Sequence, residues 1–212
     1  GSRIDTAGII AATGEILNKE AFLDGANPVI GNFGEGSVVS SGQINVQDAG
    51  LVALLGEHVA NNGVINAKAG KVVLASGAER VTLDMYGDGL VELVADEEVA
   101  RSITENSGTI NAQGGEVLMT AAAAKDVVDN VINMSGVVNV SSVEMQGGKI
   151  VLSGGANTTV SVSGELNASG KTGGGSVQID GENVLVTETA SVDVSATESG
   201  DGGRATLWAD RN

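Results

Sequence analysis

Seven times in 212 residues a glycine is followed by apolar side chains two and four positions later, a recurrence few folds can absorb. The copies are Gly50 with Val52 and Leu54, Gly70 with Val72 and Leu74, and Gly89 with Val91 and Leu93. They continue as Gly115 with Val117 and Met119, Gly148 with Ile150 and Leu152, Gly175 with Val177 and Ile179, and Gly203 with Ala205 and Leu207. The positions between are mixed, as Lys71, Glu92, Glu116, Lys149, Gln178 and Thr206 show. One apolar face alternating with one tolerant face is the pattern of a half-buried strand. So many copies in one chain imply a repeat architecture.

A second unit precedes most of these glycines. It reads SSGQINV (40–46), NNGVINA (61–67), NSGTINA (106–112), MSGVVNV (134–140), VSGELNA (162–168) and TASVDV (189–194). Its inward pairs are Ile44/Val46, Ile65/Ala67, Ile110/Ala112, Val138/Val140, Leu166/Ala168 and Val192/Val194. A third, less regular strand is read at Val81/Leu83, Val160/Val162 and Val184/Val186. The glycine steps run from 19 to 33 residues, room for three short strands and three turns. A propeller blade needs about 40 residues, and a leucine-rich repeat needs a helix and a leucine lattice in every unit. The expected fold is therefore all-β: a right-handed parallel β-helix with three strands per coil. About eight to nine coils stacked about 4.8 Å apart make a rod of roughly 40 Å, and stacking buries an aliphatic column that no single coil could bury.

The core must be aliphatic, because only two Phe, one Tyr and one Trp are present. Residues 1–35 read as strands, a helical turn at Lys19–Leu23 capped by Asn18 and ended by Gly25, and a loop. Residues 36–212 read as one continuous stem. Helical excursions are expected at 95–104 and 121–133, where Val99, Ala100 and Ile103, then Val127, Val128, Val131 and Ile132, take helical spacing. The Gly/Ser/Thr-rich stretches 169–176 and 195–203 read as flexible edge loops.

The formal net charge of −16 opposes binding to nucleic acid or an anionic membrane surface. No apolar run is long enough to span a bilayer. Cysteine is absent, which removes disulfides and cysteine metal sites. Residues at Asn45, Asn66, Asn111, Asn139, Asn167 and Asp193 form a ladder, read as stacked amides bonding along the rod. Asp84, Tyr86 and Asp88 form a candidate sugar or calcium loop, whose bland alternative is a solvated turn. His58 occurs once and reads as a surface or packing residue. Trp208 falls outward by alternation and is a candidate for stacking on a glycan. No catalytic set, metal set or cofactor motif is read. The acids are dispersed over Asp84, Asp88, Glu92, Asp96, Glu97 and Glu98, unlike the convergent pair a glycosidase requires.

The run NNGVINAKAGKVVLASGAERVTLDMYGDGLVELVAD (61–96), with NSGTINAQGGEVLMTAAAA and NMSGVVNV, resembles the filamentous-haemagglutinin family of two-partner-secreted exoproteins. IIAATGEILNKEAFLDG (9–25) resembles the end of that family's secretion domain, and GGKIVLSGGANTTVSVSGELNASG (147–170) the start of its stem. The family's Asn–Pro motif has no counterpart at Asn27-Pro28-Val29-Ile30, which implies a chain beginning late in the secretion domain. The resemblance implies a structural module of a secreted or cell-surface adhesin from Gram-negative bacteria. Its partner would be an outer-membrane transporter, with host or matrix glycans as further partners of the parent, and the chain itself a monomer. A carbohydrate-binding or carbohydrate-cleaving β-helix and a self-assembling filament subunit are the alternatives.

Overall fold

The computed structural model describes residues 1–84, 91–95, 102–121, 130–143, 147–154 and 157–210, with only the backbone at 91–95 and Asn130. The chain opens with β1 (Arg3–Thr6) and β2 (Ile9–Ala12), then β3 (Glu15–Ile16), helix α1 (Lys19–Leu23) and β4 (Val29–Gly31). Next come β5 (Ser37–Ser40), β6 (Gln43–Val46), β7 (Leu51–Gly56), β8 (His58–Asn61), β9 (Val64–Asn66) and β10 (Lys71–Ser76). After β11 (Ala78–Leu83) and β12 (Val91–Ala95) follow β13 (Ile103–Asn106), β14 (Thr109–Asn111), β15 (Glu116–Ala121), β16 (Asn130–Met134) and β17 (Val137–Asn139). The remainder is β18 (Lys149–Gly154), β19 (Thr158–Val162), β20 (Glu165–Asn167), β21 (Ser176–Gly181), β22 (Asn183–Val186), β23 (Ser191–Asp193) and β24 (Arg204–Ala209).

Three parallel sheets take up most of these strands, and the chain visits them in rotation. The first runs β1-β6-β9-β14-β17-β20-β23, the second β2-β7-β10-β15-β18-β21-β24, and the third β22-β19-β16-β13-β8-β5. Register is held by like meeting like. Ile44, Ile65, Ile110, Val138 and Leu166 align down the first sheet. Val52, Val72, Val117, Ile150 and Val177 align down the second, two residues ahead of the column Leu54, Leu74, Met119, Leu152 and Ile179. Both columns are buried and meet in one aliphatic core. A slip of one residue would turn all of them to the other face.

The third sheet departs from this aliphatic rule. Its inward column is Val59, Thr104, Ile132 and Val160, followed by Asn61, Asn106, Met134 and Val162. Buried Asn61 donates to Asn106 Oδ1 at 2.8 Å, so the amides satisfy each other inside the core. Thr104 Oγ1 donates to the Thr120 carbonyl at 2.8 Å and shares a hydrogen bond with Ser76 Oγ, also at 2.8 Å. Ser76 ends β10 where the path leaves the stacks, and Thr104 lies just past the point where it returns. Their hydroxyls clasp the neck of that excursion.

Two excursions leave after strands of the second sheet and build a sheet of their own. It is ordered β12-β11-β4-β3, with antiparallel pairing at each step. It covers the outer face of the second sheet, where Ala53, Leu55, Val73 and Ala75 pack with Ile30, Val81 and Leu83 in a second core. Burial on both faces explains why LVALL (51–55) and VVLA (72–75) are continuously apolar instead of alternating. Farther along, KIVLS, SVQID and RATLW regain polar outward positions.

Five sequence expectations are corrected. Val81 and Leu83 are not in the third parallel sheet; they lie in antiparallel β11. The Gly89-led pair Val91/Leu93 belongs to β12 of the covering sheet and not to the second stack, because a hairpin strand alternates just as a stacked one does. Residues 103–104 and 130–133 are strand, not helix, since their backbones bond to parallel neighbours on both sides. Ala95 and Ala121 are likewise strand residues, ending β12 and β15, and 96–101 and 122–129 lie outside the described residues. α1 spans the expected residues, and Gly25, at φ +94°, ends it. Asn18, however, does not cap it with its side chain: Asn18 Oδ1 accepts from Val29 N–H and its amide donates to the Asn27 carbonyl, which pins the following loop. The stretches 169–176 and 195–203 bond to each other through Gly170 N–H to Ser195 O, Gly174 N–H to Asp201 O and Thr197 N–H to Gly170 O, with Gly173–Gly175 buried. They are stacked turns.

Candidate interaction surfaces

The Asn positions come together because parallel register puts the same residue of each strand in one column. Asp5, Asn45, Asn66, Asn111, Asn139, Asn167 and Asp193 align down the first sheet. Asn111 donates to Asn66 at 3.0 Å, Asn66 to Asn45 at 2.8 Å, and Asn45 to the Asp5 carboxylate at 2.7 Å. Asn139, Asn167 and Asp193 each accept the backbone N–H two residues on, from Ser141, Ser169 and Ser195. The column thus changes from axial amide bonding to local turn bonding along the rod. Asp5 was not among the residues expected; its RIDT setting lacks the glycine turn that precedes the five asparagines.

The hydrogen bond from Asn45 and then that from Arg3 hold the Asp5 carboxyl below its ordinary value of 3.8. Lys19 and then Asn32 likewise hold Glu15 below 4.5. A carboxyl whose folded value is depressed adds stability that is complete above its unfolded value and is lost as pH falls through the folded one. Acidification below about pH 4.5 and then about 3.8 should therefore loosen the N-terminal strands as Glu15 and then Asp5 take up protons. Carboxyl NMR titration should place both midpoints below ordinary values, and Asn45→Ala should raise that of Asp5. A midpoint for Asp5 at or above 3.8 would contradict the ladder geometry.

Asp84 lines a cavity of about 640 Å³ with Lys71, Asp48 and the corner Gly8–Ile10. Tyr86 and Asp88 of the expected sugar or calcium loop lie outside the described residues. His58 Nε2 lies 3.4 Å from Glu105 Oε2 across neighbouring strands of the third sheet, partly exposed. Trp208 is 63% exposed on the outer side of β24, with its indole N–H donating to Asp210 Oδ1 at 2.8 Å. Among the described residues, no group of three or more His, Cys, Asp or Glu side chains converges on a metal-sized site. Among the described residues, His58 lies on the third sheet and Trp208 on the second, apart from the Asn column of the first.

Residues 1–168 match the family model of the TPS secretion domain, TPS standing for two-partner secretion. The chain belongs to the TPS secretion-domain family. That matched span runs through the covering sheet and most of the parallel stacks. Among solved structures, the TPS domain described here is similar to the HMW1 secretion domain from Haemophilus influenzae, with a TM-score of 0.69 and 24% identity. The alignment takes in 98% of this chain and 63% of that one, so the chain spans less than two thirds of that structure's length. At this identity the likeness speaks to fold. No curated protein matches the chain.

Proposed function

We propose that this TPS domain directs a longer exoprotein to an outer-membrane transporter and becomes the first folded part of its stem outside the cell. The family match over residues 1–168 carries this reading. On it, the chain is a right-handed solenoid with three strands per coil. Among the described residues two of the parallel sheets have seven strands and the third has six, which supports a stack of such coils. Among the described residues α1 is the one helix, and residues 1–35 contribute β1 and β2 to the same stacks as the later strands. The parent is a secreted or surface-attached adhesin, and this module supplies stiffness and reach, not catalysis. Coil-by-coil stacking makes that mechanism physical: each level buries its apolar column only against the level before it, so folding advances in one direction and opposes return.

Deleting residues 1–168 from the parent should leave the remainder in the periplasm when it is produced with its transporter. The undeleted parent should reach the medium or the cell surface. Equal export of both forms would remove the proposed role.

A further inference from the structure

We propose that the outer face of the second sheet around Trp208 binds an uncharged pyranose sugar. Register sets Trp208 beside Asp180 and Thr206 beside Gln178, while Asp180 lies beside Ser153 on the next strand. Alternation turns these residues to the same face. With about 4.8 Å between strands and about 7 Å between like-facing residues, they outline a flat patch the size of one or two sugar rings.

The chemistry of the patch fits that ligand. The indole is held by its bond to Asp210 at 2.8 Å, which satisfies the ring N–H and leaves the ring face open. A ring face of this kind suits the apolar C–H face of a pyranose. Asp180 accepts from Ser153 Oγ at 2.7 Å through one oxygen and from Gln178 Nε2 at 2.8 Å through the other. Each carboxylate oxygen keeps a lone pair, and both are oriented before a ligand arrives. Two neighbouring hydroxyls can donate to them while the sugar ring lies on Trp208. Thr206, beside Gln178 and two residues before Trp208 on the same strand, adds a hydroxyl at the edge of the patch.

Among the described residues, packing does not account for this face. Nearer the N-terminus the same face is apolar and covered, with Ala53, Leu55, Val73 and Ala75 buried under the antiparallel sheet. Beyond that cover the outward residues become Gln178, Asp180, Thr206 and Trp208. Charge narrows the ligand class: a net charge of −16 and a carboxylate at the centre disfavour an anionic partner. Sugar hydroxyls supply donors without charge. This inference is independent of the export reading.

Trp208 is the only tryptophan, so intrinsic fluorescence reports on the patch directly. The chain would be titrated with methyl glycosides of glucose, galactose, mannose and N-acetylglucosamine, and screened on a glycan array. At least one uncharged glycoside should give a saturable change in emission, with matching array signal. Trp208→Ala should abolish array binding, and Asp180→Ala should weaken it by about tenfold or more. Circular dichroism and melting of both variants should match the parent, because the substitutions are on the surface. Lack of saturable binding by any uncharged glycoside would overturn the proposal. So would binding that survives Trp208→Ala, or binding confined to anionic glycans and lost in Arg204→Gln.

Discussion

Gly115→Ala should cost about 3 kcal/mol of stability, while Gly114→Ala, one residue earlier, should cost about 1 kcal/mol. The two glycines are required for different reasons. Gly114 adopts φ +70° with open space around its Cα, so a methyl group there meets only backbone strain. Gly115 sits directly over Gly70, and a Cβ would overlap the Gly70 carbonyl oxygen. That carbonyl accepts from Glu116 N–H at 3.0 Å, so it cannot turn away without breaking the ladder between levels. The same overlap recurs at Gly70 over Gly50, Gly148 over Gly115 and Gly175 over Gly148. The column is a line of closest approach between successive strands, and parallel spacing leaves no room to relax. Urea unfolding followed by circular dichroism compares the pair. Equal losses would show that the levels are farther apart at this corner than the structure has them.

Leu74→Ala should lower stability by about 2–5 kcal/mol, the range for a fully buried leucine. Leu74 is completely buried, with Leu54 and Met119 at its register positions on either side. A cavity there opens between two stacked neighbours whose backbones are fixed by parallel pairing, so collapse to fill it is limited. Leu23→Ala provides the contrast, since Leu23 is 83% exposed at the end of α1. Its substitution should change stability by no more than about 0.5 kcal/mol. Thermal melting of the two variants separates the cases. A loss below about 1 kcal/mol for Leu74→Ala would contradict the stacked core.

The first and second sheets were legible in the sequence because their inward columns are aliphatic and most of their strands follow a glycine turn. Ile44, Ile65 and Ile110 announce themselves. The third sheet was legible at Val160/Val162 and Val184/Val186 but not nearer the N-terminus, because its inward column there includes Thr104, Asn61 and Asn106, residues that read as turn formers when isolated. Only their mutual hydrogen bonds make them core residues, and pairing over forty-five positions in sequence leaves no local trace. The covering sheet was hidden for a related reason. β11 and β12 alternate like stacked strands, and nothing in VELVA distinguishes an antiparallel neighbour from a parallel one. Of the surface residues, Trp208 was visible as a lone aromatic. Asp180, Gln178 and Ser153 were not, because their association depends on the register of three strands.

Export is tested most directly by transplantation. The 212-residue chain, preceded by a secretory signal peptide and followed by a passenger that otherwise stays in the periplasm, would be produced with and without the parent's transporter. The account predicts that the passenger leaves the cell only when both the chain and the transporter are present. A passenger that remains in the periplasm with both present, or leaves with neither, would contradict it.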